Sequence, residues 1–360
     1  MLRELNVEFE NYQKYYIMKK FFKITGVIFL LLIVYVMFQY LFTTLAFVAY
    51  MVYAIVTGII PLETFSPENF SPEMFADTAA LMKDPAMSGI IIKSMAIGLF
   101  LSAAAMLLFI HAIKLFRIRK SLFTSIAPKP LLWSTLLVFS SIFALNTFVQ
   151  WFPLENILEN EFDGLSRNII GAFTIAVLAP VLEEVMFRGA IQGYMMRRVR
   201  SPWLAIIVAS LVFGIFHMNP VQIVYASLLG IILGWIYYRT GSLMSVIVGH
   251  VLNNTIATIT ELLIGNEEDV ELLSDMSQGA TIAAEAGIFA FFALLSVLFA
   301  YKLHKSLPVV PVPWHESDEP AAESAGAGCA DIESSAVECV VQANDATEPV
   351  AETPEGPSKE

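Results

Sequence analysis

The feature that most constrains this 360-residue chain is a succession of long, almost uncharged apolar runs. A run of about 18 or more such residues is read as a membrane-crossing helix, because hydrocarbon offers the backbone no partners and only internal hydrogen bonds satisfy it. Eight spans are expected, at 24–60, 89–113, 131–151, 168–196, 203–219, 221–238, 242–264 and 282–301. The first is longer than one crossing needs and is expected to tilt, bend or extend into solvent. With 57% of residues hydrophobic and 15% charged, the expected fold class is all-α: a polytopic transmembrane helix bundle of about eight spans.

Positive charge gives the bundle a direction. If the N-terminus is cytoplasmic, 17 of the 21 lysines and arginines fall on the inner side, which follows the positive-inside rule. Both termini are then cytoplasmic, and the expected location is the bacterial plasma membrane. Acidic residues fill the proposed outer loops, at Glu63–Asp84, Glu155–Asp163 and Glu267–Asp275. The chain divides into a cytoplasmic amphipathic segment (1–23), two spans with an outer loop (24–128) and a polar-residue-bearing core (129–265). An outer loop with the last span (266–305) and an acidic tail (306–360) complete it. In the outer loop, Phe65 to Phe75 holds a short tandem in which Ser71, Pro72 and Glu73 resemble a helix start. Lys114 to Lys120 reads as a topology anchor beside anionic lipid; a nucleic-acid partner is not expected. The tail is read as disordered: from Ser306 on, its charge is −11, nearly all of the chain's −12. Cys329 and Cys339 lie in it and are expected to be reduced, without a metal.

Against this background Glu183, Glu184 and Arg188 stand out. They close an uncharged run that begins at Asn168, and each charge inside a bilayer costs at least about 2.5–3.5 kcal/mol on insertion scales. Glu183 and Glu184 are also the only acids placed neither in the terminal polar segments nor in or beside the outer loops. On a helix, Glu184 and Arg188 are four apart and share a face, while Glu183 points about 100° away. One carboxylate has its cation built in; the other must find partners on other helices, as a general base would. A purely structural ion-pair cluster is the competing interpretation.

Two further helices carry matching polar groups. Phe213 and His217 are followed by Asn219 and Pro220, which should break the fifth span. His250 and Asn254 share a face of the seventh span and could together donate to a developing oxyanion, although a polar interhelical contact would use the same residues. Gly230 and Gly234 of the sixth span are a small-xxx-small pair, read here as close packing alone. One tension accompanies these positions: Glu183 falls mid-helix, whereas His217 falls toward the outer end of a short span.

The ordered motifs Glu183-Glu184-x-x-x-Arg188, Phe213-x-x-x-His217 and His250-x-x-x-Asn254 resemble those of the CPBP family of intramembrane proteases. That family includes the type II CAAX prenyl proteases and bacteriocin-processing proteins, and the resemblance covers roughly residues 130–265. It implies hydrolysis of a peptide bond within the membrane. Glu183 and His217 would activate water, His250 and Asn254 would stabilise the oxyanion, and Glu184, Arg188 and Phe213 would support the architecture. It also implies a membrane-anchored or hydrophobic peptide substrate and contact with membrane lipid; it leaves the oligomeric state open. The family is often described as metalloproteases, and Glu183, His217 and His250 could supply a zinc set. A metal-free glutamate mechanism is favoured because the helical His-Glu-x-x-His signature is absent. The alternatives of another class are a non-catalytic scaffold or peptide-immunity protein, and a proton-coupled transporter, for which internal repeats would be expected and none is seen.

Overall fold

The computed structural model of the chain describes residues 2–60, 85–113, 127–157, 165–199, 201–264 and 278–307. They belong to one compact unit, Met1–His315; residues 316–360 lie outside the described residues. The tandem at 65–75, the basic segment 114–120, the acidic stretch 267–275 and the tail with Cys329 and Cys339 also lie outside them.

Among the described residues the secondary structure is helical, without strands, in eight main helices: α1 Leu2–Val56, α2 Pro85–Ala112, α3 Pro128–Gln150, α4 Ile169–Met196, α5 Pro202–Phe216, α6 Pro220–Thr240, α7 Leu243–Ile264 and α8 Gln278–Ser306. Seven are long and apolar enough to cross a membrane, and the chain is an integral, multi-pass membrane protein. Exposed Phe29, Leu108, Ile215 and Leu294 give its flanks the apolar surface that lipid requires.

α1 runs unbroken from Leu2 to Val56, with its apolar part at Met18–Val56, so the first helix extends beyond one crossing. One expectation about the spans needs correction: the run 203–219 is not a full crossing. Its helix, α5, has 15 residues, about 22 Å at 1.5 Å per residue against a hydrocarbon core of about 30 Å. Pro220 explains the stop. The residue before a proline is driven out of the helical region, and Asn219 is extended at φ −120° and ψ 120°. Just before them, Met218 takes φ 51°, a left-handed conformation uncommon for a bulky residue. His217 therefore caps a helix about three quarters as long as the hydrocarbon core is thick, which eases the tension over its depth.

Close approaches set the packing of the middle helices. A Cβ on Gly214 would collide with Ser227 Oγ and the Ile223 carbonyl, so α5 and α6 meet backbone to backbone there. Gly98 likewise brings α2 against Thr43 of α1. The main apolar cluster gathers Leu182, Met186 and Phe187 of α4 with residues of the surrounding helices, including Tyr35 of α1 and Val246 of α7. At the periphery, α8 packs along α3 through Trp133–Phe299, Phe143–Phe292 and Phe148–Phe289.

Candidate active site

α4 is the axis of the site, and it is not a plain α-helix. Asn168 starts it, its side chain accepting from the amides of Ile170 and Gly171 at 3.0 and 3.2 Å. Two π-helical stretches, Thr174–Leu178 and Glu184–Gln192, then flank one α-helical turn, Ala179–Glu183. Pro180 accounts for an orphan in the first stretch. In the i→i+5 pattern its missing N–H is the one that would meet the carbonyl of Ile175. Asn254 of α7 supplies the replacement, donating Nδ2 to that carbonyl at 2.8 Å.

The two glutamates fare differently. Glu184 is fully buried and its Oε1 accepts from Arg188 Nη1 and His250 Nδ1, each at 2.7 Å. Glu183 is 15% exposed, and its Oε2 lies 3.5 Å from His250 Nε2 without a hydrogen bond. The imidazole of His250 thus stands between the carboxylates, bonded to one and facing the other. Because Nδ1 carries the proton given to Glu184, Nε2 is an acceptor when the ring is neutral and a donor only when it is cationic.

Arg188 is anchored on three sides. Besides Glu184, it donates Nη2 to the Gly230 carbonyl at 3.4 Å, and its guanidinium lies 4.4 Å from the centroid of the Phe213 ring. One turn on, Gln192 donates to the Gly234 carbonyl at 2.8 Å. The Gly230–Gly234 pair does more than allow close packing, which corrects the sequence reading. With no Cβ to shield them, its carbonyls receive two side chains from α4, an interhelical bond that sequence spacing does not disclose.

Phe213 is the common neighbour. Its buried ring meets His217 at 4.9 Å and 87°, His250 at 5.6 Å and 88°, and Phe187 at 5.0 Å. His217 is further fixed by a 2.9 Å bond between its Nδ1 and the Phe213 carbonyl. With Nδ1 held there as the donor, Nε2 is left free to accept. Direct contacts therefore join Glu183, Glu184, Arg188 and His250, and Phe213 brings His217 into the group. Asn254 sits one turn beyond His250, with Nδ2 on Ile175 and Oδ1 accepting from Asn253 Nδ2 at 3.0 Å. Asn253 in turn accepts from Tyr225 at 2.6 Å. His250 and Asn254 do not converge on one point as a pair of neutral donors: their bonded atoms reach two different places on α4.

The same geometry bears on zinc. Among the described residues, no three His, Cys, Asp or Glu side chains lie together in a way that could hold a metal ion. Nδ1 of His217 and of His250 is bonded within the protein, so Nε2 is the ring nitrogen that each would offer, beside Glu183, to a metal.

Comparison with known proteins converges on this region. Residues 165–256 match the family described as "Rce1-like: Type II CAAX prenyl endopeptidase Rce1-like". The "Putative membrane peptidase YdiL" of Bacillus subtilis (strain 168) is 28% identical over 87 residues, covering 24% of this chain and 35% of that protein. The match thus spans about a third of that relative's length. No solved structure matches the chain.

Proposed function

We propose that this chain, whose residues 165–256 match the Rce1-like type II CAAX prenyl endopeptidase family, is an intramembrane endopeptidase whose general base is Glu183. One observation carries the choice. Of the two adjacent carboxylates, each of which keeps an Oε2 without a hydrogen bond, Glu184 is sealed with its Oε1 bonded to Arg188 and His250, while Glu183 is 15% exposed. A base must be able to receive a proton from water, and Glu183 is the more accessible of the two.

In this mechanism Glu183, with His217 orienting the water through its free ring nitrogen, takes a proton as the water oxygen bonds to the scissile carbonyl carbon. The carbonyl π pair moves onto its oxygen. On collapse the C–N bond breaks, and the proton held by Glu183 passes to the leaving amine. Glu184 and Arg188 hold the orientation of His250, and Asn254 keeps the bulged turn of α4 in place. His250, when cationic, adds a donor at Nε2. No metal takes part in any step.

The substrate we propose is a hydrophobic or membrane-anchored peptide, processed by CAAX-type C-terminal trimming or as a bacteriocin-like precursor. The termini would be cytoplasmic, in a plasma membrane. The test is cleavage of a prenylated CAAX-type peptide by the purified protein in proteoliposomes. Glu183→Ala and His217→Ala should each remove cleavage while the protein still melts as the wild type does, and a strong chelator should leave wild-type turnover intact. Full activity in Glu183→Ala would overturn the mechanism and favour a non-catalytic scaffold or immunity role. Loss on chelation that zinc restores would bring the metal back.

A further inference from the structure

Three side chains form a line of hydrogen bonds from α6 through α7 to α4, and the mechanism above uses only the last of them. Tyr225 of α6 donates its hydroxyl to Asn253 Oδ1 at 2.6 Å. Asn253 Nδ2 donates to Asn254 Oδ1 at 3.0 Å, and Asn254 Nδ2 donates to the Ile175 carbonyl at 2.8 Å. Neighbouring residues on a helix point about 100° apart. Asn253 therefore reaches α6 while Asn254 reaches α4, and the bond between them ties two faces of α7 together.

The sense of every link in this line is forced. A carbonyl only accepts, and that of Ile175 lacks the donor that Pro180 cannot give it, so Asn254 must turn its nitrogen toward it and its oxygen away. That oxygen needs a donor, which Asn253 supplies through Nδ2. Asn253 Oδ1 then needs a donor in turn, and the Tyr225 hydroxyl is the one that meets it. The two ends of a carboxamide have nearly the same shape, so bonds of this kind decide which way round an asparagine sits. Asn254 Nδ2 carries two protons; Ile175 takes one, and no described residue takes the other. The oxyanion role that the family resemblance implies for Asn254 is open to it through this second N–H.

We propose that Tyr225 and Asn253 are positioning residues of the site: they hold the Asn254 carboxamide so that its second N–H is aimed at the scissile carbonyl oxygen as that oxygen becomes an oxyanion. This rests on the endopeptidase reading above. Neither residue touches the substrate; both act through Asn254, and the tyrosine keeps its proton throughout. A donor fixed before the reaction needs no reorganisation while charge develops, which is where such groups gain their effect.

Tyr225→Phe removes only the hydroxyl, and Asn253→Leu keeps the size of the side chain while removing both of its links. With the prenylated peptide in proteoliposomes, each should lower kcat about 10-fold, within the roughly 100-fold that a misplaced catalytic group can cost. KM should stay within about twofold, as for an interaction made only in the transition state. A non-cleavable phosphinate analogue of the peptide should bind each variant about 10-fold more weakly, while the product peptide binds them as it binds wild type. Because both residues act through Asn254, Tyr225→Phe should cost nothing further in an Asn254→Ala background, and Tyr225→Phe with Asn253→Leu should lose no more than either alone. The second pair carries the test if Asn254→Ala does not fold. Losses that multiply in either pair overturn this inference, as does a rise in KM alone. A loss that vanishes when kcat is expressed per folded molecule also overturns it, since the line would then be a structural contact. Wild-type kcat in Tyr225→Phe beside a dead Glu183→Ala overturns it and leaves the mechanism standing. A wild type that cleaves nothing overturns the endopeptidase reading and this inference with it.

Discussion

α8 and α4 both lie along a neighbouring helix, but their neighbours hold them in different ways. α8 meets α3 through stacked rings, Phe143 on Phe292 at 4.7 Å and 20° and Trp133 on Phe299 at 6.1 Å and 23°. Three serines at mid-seam add hydroxyl contacts, and Trp151 Nε1 donates to Glu285 at one end. α4 meets α6 and α7 through Arg188 on the Gly230 carbonyl, Gln192 on the Gly234 carbonyl and Glu184 on His250. Lipid tails are as apolar as leucine, so burying leucine in a membrane gives little drive to associate; packing and interhelical hydrogen bonds do that work. The ring-packed seam is tolerant because no buried charge in it depends on a partner. The polar seam is not, because removing Arg188 leaves the buried Glu184 without its cation.

The largest expected effect follows from that asymmetry. Arg188→Ala removes the cation from Glu184, whose side chain is 0% exposed. Breaking a buried pair from one side costs about 3–5 kcal/mol, since the remaining charge is uncompensated. The protein should express poorly and melt far below wild type in detergent. Pairing Arg188→Met with Glu184→Gln should recover much of the loss, because the double change leaves no orphaned charge. A double variant as unstable as Arg188→Ala would show that the carbonyl and Phe213 contacts of the arginine, and not its charge pairing, hold α4.

Much of this seam could be read from the chain, and the reasons the rest could not are physical. The Glu184–Arg188 pair is a local relation, set by four residues of helix, and the ordered motifs placed His250 and Phe213 beside it. Seven of the eight expected spans are helices of crossing length. The eighth failed because hydropathy registers apolar content, and Pro202–Phe216 is apolar yet too short. The π-helical stretches were invisible because periodicity presumes one rotation per residue, whereas Pro180 and the interhelical bonds around Arg188 favour a wider turn. Nothing in the spacing of α7 says that Asn254 must satisfy Ile175, since that need exists only once α4 has bulged.

A middle-sized effect tests whether backbone approach, and not charge alone, distinguishes the core. Gly214→Val puts a side chain where Ser227 Oγ and the Ile223 carbonyl already stand. Overpacking of this kind costs about 1–3 kcal/mol, and the displaced α5 carries His217 three residues further on. Turnover should fall along with stability, and Ser227→Gly in the same chain should restore part of each. If Gly214→Val melts as the wild type does, α5 is free to move away from α6, and the polar seam owes nothing to its short fifth helix.

The smallest effect belongs to the seam of rings. Ser296 Oγ lies 2.9 Å from Ser140 Oγ and accepts from Ser141 Oγ at 3.2 Å. Each of the three hydroxyls also has a carbonyl on its own helix: Leu137 for Ser140 and Ser141 at 3.0 and 2.7 Å, and Phe292 for Ser296 at 2.8 Å. A hydroxyl has one proton, so these local bonds compete with the bonds across the seam. Ser296→Ala then strands neither Ser140 nor Ser141, because both keep a partner in α3. The loss should be about 0.6 kcal/mol, the average for interhelical hydrogen bonds within membranes, and unfolding in mixed micelles can resolve it against wild type. A loss of about 2 kcal/mol or more would exceed that range. The α3–α8 seam would then depend on its polar contacts as the α4–α6 seam does, and the contrast between them would rest on charge alone.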